Sequence, residues 1–229
     1  MKRSFTFLFL TLSLLTFLFL ASCSPATPTA APEPITVQYS AAAQPWLSAV
    51  YDCAGKTPIF AEQRAVQYFD PPADIAIRLG EPEQLRTPAF EIGIEEIVVI
   101  VHPQNPVTKI GVTEVRGLFT GQIRNWSQLG GPDASMRVWI YASGEDIQNI
   151  FEVAVRQGGT VTSLAQLATS PDEMYQAIAD DVNAIGVLPR SWKIENVQEV
   201  YNASTIPVLA IIPSEEQGGT SDLLACLQK

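Results

Sequence analysis

The 229-residue chain is nearly half apolar, and its 24 acidic against 14 basic residues give a formal charge of −10. So acidic a chain argues against nucleic acid as a partner and against a polybasic membrane patch. A small site answers to its local dipoles, so a ligand of either sign stays open. There is no CxxC pair and His102 is the only histidine, so no metal, cofactor or redox centre is expected.

In chain order, Met1-Lys2-Arg3 is a positive start and Phe5 to Leu20 an apolar run broken only by Thr and Ser, the layout of a signal peptide over residues 1–22. A membrane-spanning helix is the alternative. The run ends in Leu20-Ala21-Ser22-Cys23, which resembles the lipobox of bacterial lipoproteins. The resemblance implies cleavage before Cys23 and a lipid on that residue. Residues 23–34 then form a Pro-rich, stiff tether that offers nothing to a core. Losing Lys2 and Arg3 takes the formal charge from −10 to −12. The expected product is an extracytoplasmic body, about residues 35–229, anchored to a bacterial membrane.

Within that body Ile35 to Tyr39 reads as a strand, and a helix begins at Ser40 and carries Trp46, Leu47, Val50 and Tyr51 toward Cys53. Short apolar runs at 65–68 and 74–77 read as further strands, and Ile94 to Val101 as the strongest one. Val112 to Phe119 is a short helix stopped by Gly121, followed by a turn-rich connector over 122–131. Val138 to Tyr141 is a strand that breaks at Ala142-Ser143-Gly144 into a helix with Ile147, Ile150 and Phe151 at helical spacing. A helix over 171–180, strands over 184–188 and 206–212, and a last helix over 220–228 complete the chain. Strands alternating with helices predict an α/β fold with mostly parallel pairing.

Cys53 and Cys226 form an even pair outside the cytosol, which predicts a disulfide, with two separately buried thiols as the alternative. If the first and last helices are bridged, both chain ends share one lobe. Lobe 1 is then residues 35–102 plus 188–229, and residues 103–187 form an inserted lobe 2.

Residues 102–131, HPQNPVTKIGVTEVRGLFTGQIRNWSQLGG, carry a set of short motifs: Asn105-Pro106, Phe119-Thr120-Gly121, Asn125-Trp126 and Gly130-Gly131. Together with Asn183-Ala184-Ile185-Gly186 they resemble the phosphate-type substrate-binding proteins of ABC importers. The resemblance implies a two-lobed type 2 periplasmic-binding fold, with a mixed, mostly parallel sheet flanked by helices in each lobe. It further implies no enzymatic activity, a monomer, an ABC permease as partner and a small polar ligand, phosphate or another oxyanion first, in the inter-lobe cleft. Read as residues, Phe119 and Trp126 are core anchors and the glycines turn formers.

The ligand is expected where strands end and helices begin. That singles out Ser40 and Ala41 on one lobe, Ser143 and Gly144 on the other, and Arg78 as the nearest cation. Phosphate binders of the family usually carry Ser-Gly-Thr or Ser-Gly-Ser at the second turn, often with an arginine just before. Here Tyr141 and Ala142 precede the turn, and Glu145 and Asp146 follow it. Three readings of those acids stay open: dipole stabilisation of the helix, acceptance of a proton from the ligand, or a ligand that is not phosphate. A sensor or scaffold lipoprotein with an altered or lost ligand site is the second functional expectation. A Ser-His catalytic site has no support, since Ser143 has no histidine in its segment.

Overall fold

The structure, a computed structural model, describes residues 33–69, 73–156, 159–192, 195–213 and 218–229. The signal segment, Cys23 and most of the tether lie outside them.

Eight strands among the described residues form one sheet in the order β2-β1-β3-β8-β4-β7-β5-β6. They are β1 (Ile35–Tyr39), β2 (Ile59–Gln63), β3 (Ile75–Leu79), β4 (Ala89–Val101), β5 (Arg137–Tyr141), β6 (Gln166–Ala168), β7 (Ala184–Pro189) and β8 (Gln198–Ile211). On one side β1 pairs in parallel with β2 and β3; on the other β5 pairs in parallel with β6 and β7. The two parallel groups are joined through the long antiparallel pair β4 and β8. β3 takes the C-terminal end of β8, pairing Ala76 with Ile211 through Leu79 with Val208. β7 takes the other end of the pair, from Ile97 with Pro189 to Val101 with Ile185. Between these flanks, around Ile94–Glu96 and Thr205–Pro207, the sheet narrows to a two-strand ribbon. Register shifts at Glu91/Gly93, Ile97/Val98 and Val99/Ile100 bend it.

This is the expected α/β architecture of two groups joined by crossing strands, but several elements differ in extent. The strand read at 65–68 is a single 3-10 turn, Val66–Tyr68, while the edge strand lies earlier, at 59–63. Phe60, Glu62 and Gln63 are exposed there, so an edge with one buried face lacks the apolar run that marks an inner strand. β4 and β8 both extend well beyond their apolar cores. Gln198–Ser204 is largely polar because there β8 is the edge of the sheet, paired with β4 on one side only, and of its residues Val200 alone is buried. β7 is the opposite case: buried throughout, it reads as an unbroken apolar run.

The helices are α1 (Leu47–Ala54), α2 (Val112–Phe119), α3 (Asp146–Phe151, prolonged by a wider π turn to Arg156), α4 (Pro171–Ala179) and α5 (Gly219–Leu227). The helix expected from Ser40 begins as a 3-10 segment, Ala41–Trp46, with Pro45 inside it, and becomes α-helical only at Leu47. Pro45 has no N–H to donate, which limits α-helical bonding there. α4 starts as its sequence dictates: Pro171 occupies the first turn and Ser170 Oγ accepts a hydrogen bond from the Glu173 N–H at 3.2 Å.

The motif residues are structural. Trp126 is fully buried and donates its Nε1–H to the Asn183 carbonyl at 3.1 Å, tying the connector to the turn before β7. Phe119 meets Phe151 edge-on with ring centroids 4.6 Å apart. Asn105 is buried; it accepts from the Val107 N–H and donates to the Val182 carbonyl, both at 3.0 Å. Gly121 and Gly130 sit at φ 74° and 78°, in the left-handed region that a turn residue without a Cβ takes most readily.

Cys53 on α1 and Cys226 on α5 are bonded, with Cα atoms 5.7 Å apart and 173 residues of separation. So long a loop restricts the unfolded chain by about 5 kcal/mol in the chain-entropy model. Replacing both cysteines with Ser should lower the urea midpoint by an amount equivalent to about 2–5 kcal/mol. An unchanged midpoint would show that the bridge contributes nothing to stability.

Candidate functional site

The site is assembled where β1, β3 and β5 end. Ser40 follows β1, is wholly buried, and is held by its own N–H on the Ile77 carbonyl at 3.1 Å. β3 ends in Arg78-Leu79-Gly80, and Gly80, at φ 66°, turns the chain and returns its N–H to the Pro207 carbonyl on β8 at 2.8 Å. β5 delivers Tyr141 and the Ala142-Ser143-Gly144 turn, from which α3 begins with Glu145 as its N-terminal cap residue. α3 is tied back to β5: Gln148 Oε1 accepts the Tyr141 N–H at 3.0 Å. The Tyr141 hydroxyl in turn donates to the Val187 carbonyl at 3.0 Å.

Of the acids that follow the turn, Asp146 is the one that points inward. Its carboxylate is fully buried and its Oδ2 accepts the Leu79 N–H at 3.0 Å, a bond that links α3 to the end of β3, 67 residues away in sequence. Oδ1 accepts the N–H of Ile147 at 2.8 Å. The Ser40 hydroxyl completes no well-formed hydrogen bond, yet it lies near enough to help hold the Asp146 pKa down. Burial outweighs these contacts and the attraction of Arg78, so the net shift of the Asp146 carboxyl is upward. Glu145, only half-buried, is also raised, by burial and by the Asp146 charge beside it. Tyr141, buried close to both acids, is pushed well above the ordinary phenol value.

Two further contacts close the same gap. Gly144, at φ 98°, has its Cα against the side chain of Gln67, so that an added Cβ would lie 2.3 Å from Gln67 Oε1. Gly80 is likewise packed under Ile150 of α3, which an added Cβ would meet at 3.2 Å. Both positions favour glycine by their positive φ, and the Gln67 and Ile150 side chains pack closely over them.

Beside Asp146 lies a cavity of about 660 Å³. Ile150, Val153, Ala154, Ile206 and Pro207 form its apolar wall, and Arg78, Asp146, Glu81 and Glu83 supply its charges. Arg78 is half-buried, its Nε is shielded from solvent, and that nitrogen has no partner among the described residues. Burial lowers its pKa, offset in part by Asp146. Among the described residues no group of three or more His, Cys, Asp or Glu is placed to hold a metal.

The structure therefore brings Ser40, Arg78, Gly144 and Asp146 together. Ala41 begins the 3-10 turn next to Ser40, and Glu145 takes the N-cap position of α3 without a side-chain capping bond. Ser143 is exposed and lines no part of the cavity. Reading the sequence also missed the Leu79 N–H, a backbone donor that carries no side-chain signal, and the Glu81 and Glu83 rim, which looks like ordinary loop. Ile150 did carry a signal, as an apolar residue on a helix beginning at the predicted turn.

Because the folded-state pKa of Asp146 is the higher one, the unfolded chain gives up this proton first as pH rises. Its contribution is complete below the ordinary value of 3.8 and is lost as pH climbs through the raised folded value. Asp146→Asn keeps an acceptor for the Leu79 N–H and removes the charge. Its stability relative to wild type, from urea melts, should therefore rise as pH increases from about 4 toward neutrality. A difference that stays flat or falls over that range would contradict the assigned shift.

A family model described as the PBP superfamily domain matches residues 83–223. No curated protein matches the chain in sequence. Among solved structures, the fold is similar to a Clostridium perfringens protein assigned as a phosphate ABC transporter substrate-binding protein, with phosphate bound: TM-score 0.75, 19% identity, 85% of this chain and 92% of that one. An ABC-type phosphate transport receptor from Vibrio cholerae matches at TM-score 0.65 and 19% identity, over 85% and 93% of the two chains. The OxyR2 regulatory domain from Vibrio vulnificus shares the fold at TM-score 0.63 with only 8% identity, over 86% and 95%. The crossing strands, the strand-end site and the match over residues 83–223 agree: the chain belongs to the PBP superfamily domain family.

Proposed function

We propose that this protein is an extracytoplasmic solute-binding lipoprotein, anchored at Cys23, whose cleft holds its own carboxylate where a free oxyanion would otherwise sit. The observation that carries the reading is Asp146: fully buried, it takes the Leu79 N–H and faces Ser40 and Arg78, the groups singled out as ligand donors. A bound phosphate there would meet a carboxylate that already occupies the donors, and like charges repel strongly at short range. The solute is therefore a small polar molecule other than free phosphate, presented to a membrane partner. The names of the similar proteins from Clostridium perfringens and Vibrio cholerae support an ABC permease in that role. The regulatory domain of like fold keeps sensing as the second reading.

The lobes of this reading meet at the two-strand ribbon. The pairing of Ile97–Val101 with β7 supports a crossing near Ile94–Glu96 on β4, earlier than residue 102, and a return near Thr205–Pro207 on β8, later than residue 188.

Titrating the purified protein with phosphate, sulfate and molybdate in a calorimeter should give no saturable heat, and Asp146→Gly, which vacates the position, should gain measurable phosphate affinity. Saturable micromolar binding of phosphate to wild type would overturn the reading. Cys23→Ala should move the protein from the membrane to the soluble fraction of expressing cells; retention at the membrane would point to the apolar run as the anchor instead.

A further inference from the structure

We propose that the cavity beside Asp146 binds a small zwitterion with an apolar side chain, an amino-acid-like molecule whose carboxylate meets Arg78 and whose ammonium meets the acids around it. The inference rests on the reading that the Asp146 carboxylate holds the oxyanion position, and it names what occupies the space that remains. At about 660 Å³ the cavity falls within the range of small-molecule sites, about 300 to 1,000 Å³.

Its chemistry is divided. Arg78 is the cation among its lining residues, and the buried Nε has no acceptor among the described residues. A guanidinium left in that state favours a planar carboxylate, which it can engage through two parallel N–H donors. Yet a simple organic anion fits the site poorly, because Glu81, Glu83 and Asp146 face the same space. Those acids exceed what one arginine neutralises, and burial already disfavours the charged forms of both Asp146 and Arg78. A ligand bearing both signs relieves both deficits at once. A cation alone would leave the buried Arg78 Nε without an acceptor, and an anion alone would add to the negative charge of Asp146 and of Glu81 and Glu83, which are exposed at the rim.

The rest of the lining is apolar. Ile150, Val153 and Ala154 lie along α3 and its π turn, and face Ile206 and Pro207 from the ribbon. Val153 is 81% exposed, an apolar residue left at the mouth. That wall suits an aliphatic or aromatic side chain, so leucine and phenylalanine are the probes of choice over aspartate or lysine.

Calorimetry on the purified protein tests this with leucine, phenylalanine, 4-methylpentanoate (the acid without the ammonium) and 3-methylbutylamine (the amine without the carboxylate). Saturable binding of at least one of the two amino acids, at least tenfold tighter than the acid or the amine, is expected. Arg78→Met should weaken the amino acid at least tenfold and leave the weak amine unchanged, and Arg78→Lys should recover part of the loss; circular dichroism confirms that both variants fold. Glu81→Gln with Glu83→Gln should weaken the amino acid and strengthen 4-methylpentanoate. Silence from both amino acids, or equal affinity for acid and zwitterion, overturns the proposal. Adding phosphate in a separate run keeps the two readings distinguishable. Phosphate binding to wild type sinks the assignment of Asp146, whereas silence from phosphate and amino acids together sinks the zwitterion alone.

Discussion

The antiparallel pairing of β4 with β8 is the constraint on which the rest of this molecule depends. Two strands of 13 and 14 residues run side by side through the middle of the sheet; among the described residues β3 attaches to one end of that pair and β7 to the other, and the remaining strands attach through them. Because β1 and β3 are parallel to each other, as are β5 and β7, each group ends its strands on the same side, and helices begin there. The ribbon sets those two sets of ends against each other. Bonding to Glu96 on β4 and Glu199 on β8, Arg190 pins the ribbon where it meets β7. The 3-10 turn that carries Arg190 reaches across as well, with Trp192 Nε1–H donating to the Ala42 carbonyl at 3.1 Å.

Against that frame a single carboxylate settles how the gap between the strand ends is used. Hydrogen bonds from neutral donors to a charged acceptor contribute roughly 1.5–3 kcal/mol each, but removing a carboxylate from water costs several kcal/mol. Asp146 has two such bonds and a nearby guanidinium, and its raised pKa says that desolvation still wins. Ionising this carboxyl therefore costs more in the folded protein than in water, and an isosteric amide would remove that cost but leave one of the two N–H donors facing an NH2 group. What the charge supplies is an anion that cannot diffuse away. On the proposed reading, that tethered anion already joins α3 to the end of β3, through the Leu79 N–H, before any solute arrives. On the same reading a solute meets Arg78, whose Nε has no partner among the described residues, and the apolar flank of α3.

Much of this was legible in the sequence, and the exceptions follow from physics. The motif between residues 102 and 131 identified the fold because its residues are buried or capping: Trp126, Phe119, Asn105 and Asn125 each hold a turn or a core contact. The cysteine pair was legible because two cysteines in a chain expected to lie outside the cytosol are restricted in what they do. Ser40, Arg78, Gly144 and Asp146 could be expected near one another because they follow or close strands whose ends meet. Ser143 was expected with them and is exposed instead, since the turn directs the following acid, not the serine, inward. The edge strands β2 and β6 and the polar half of β8 were missed for one shared reason. Strands that bury one face, or pair on one side only, carry weak apolar periodicity. The cavity was invisible for a different reason: its walls come from the 66–67 turn, the loop after β3, α3 and β8, and no local window contains them.

Distance between the two strand groups, measured by pulsed electron spin resonance with labels at the exposed positions Lys56 and Asp172, tests the central claim most directly. A tethered anion predicts one short distance population in the wild-type protein without ligand, unchanged by phosphate, and a longer or broader one in Asp146→Ala. A wild-type protein that stands open and shortens only when phosphate is added would contradict it.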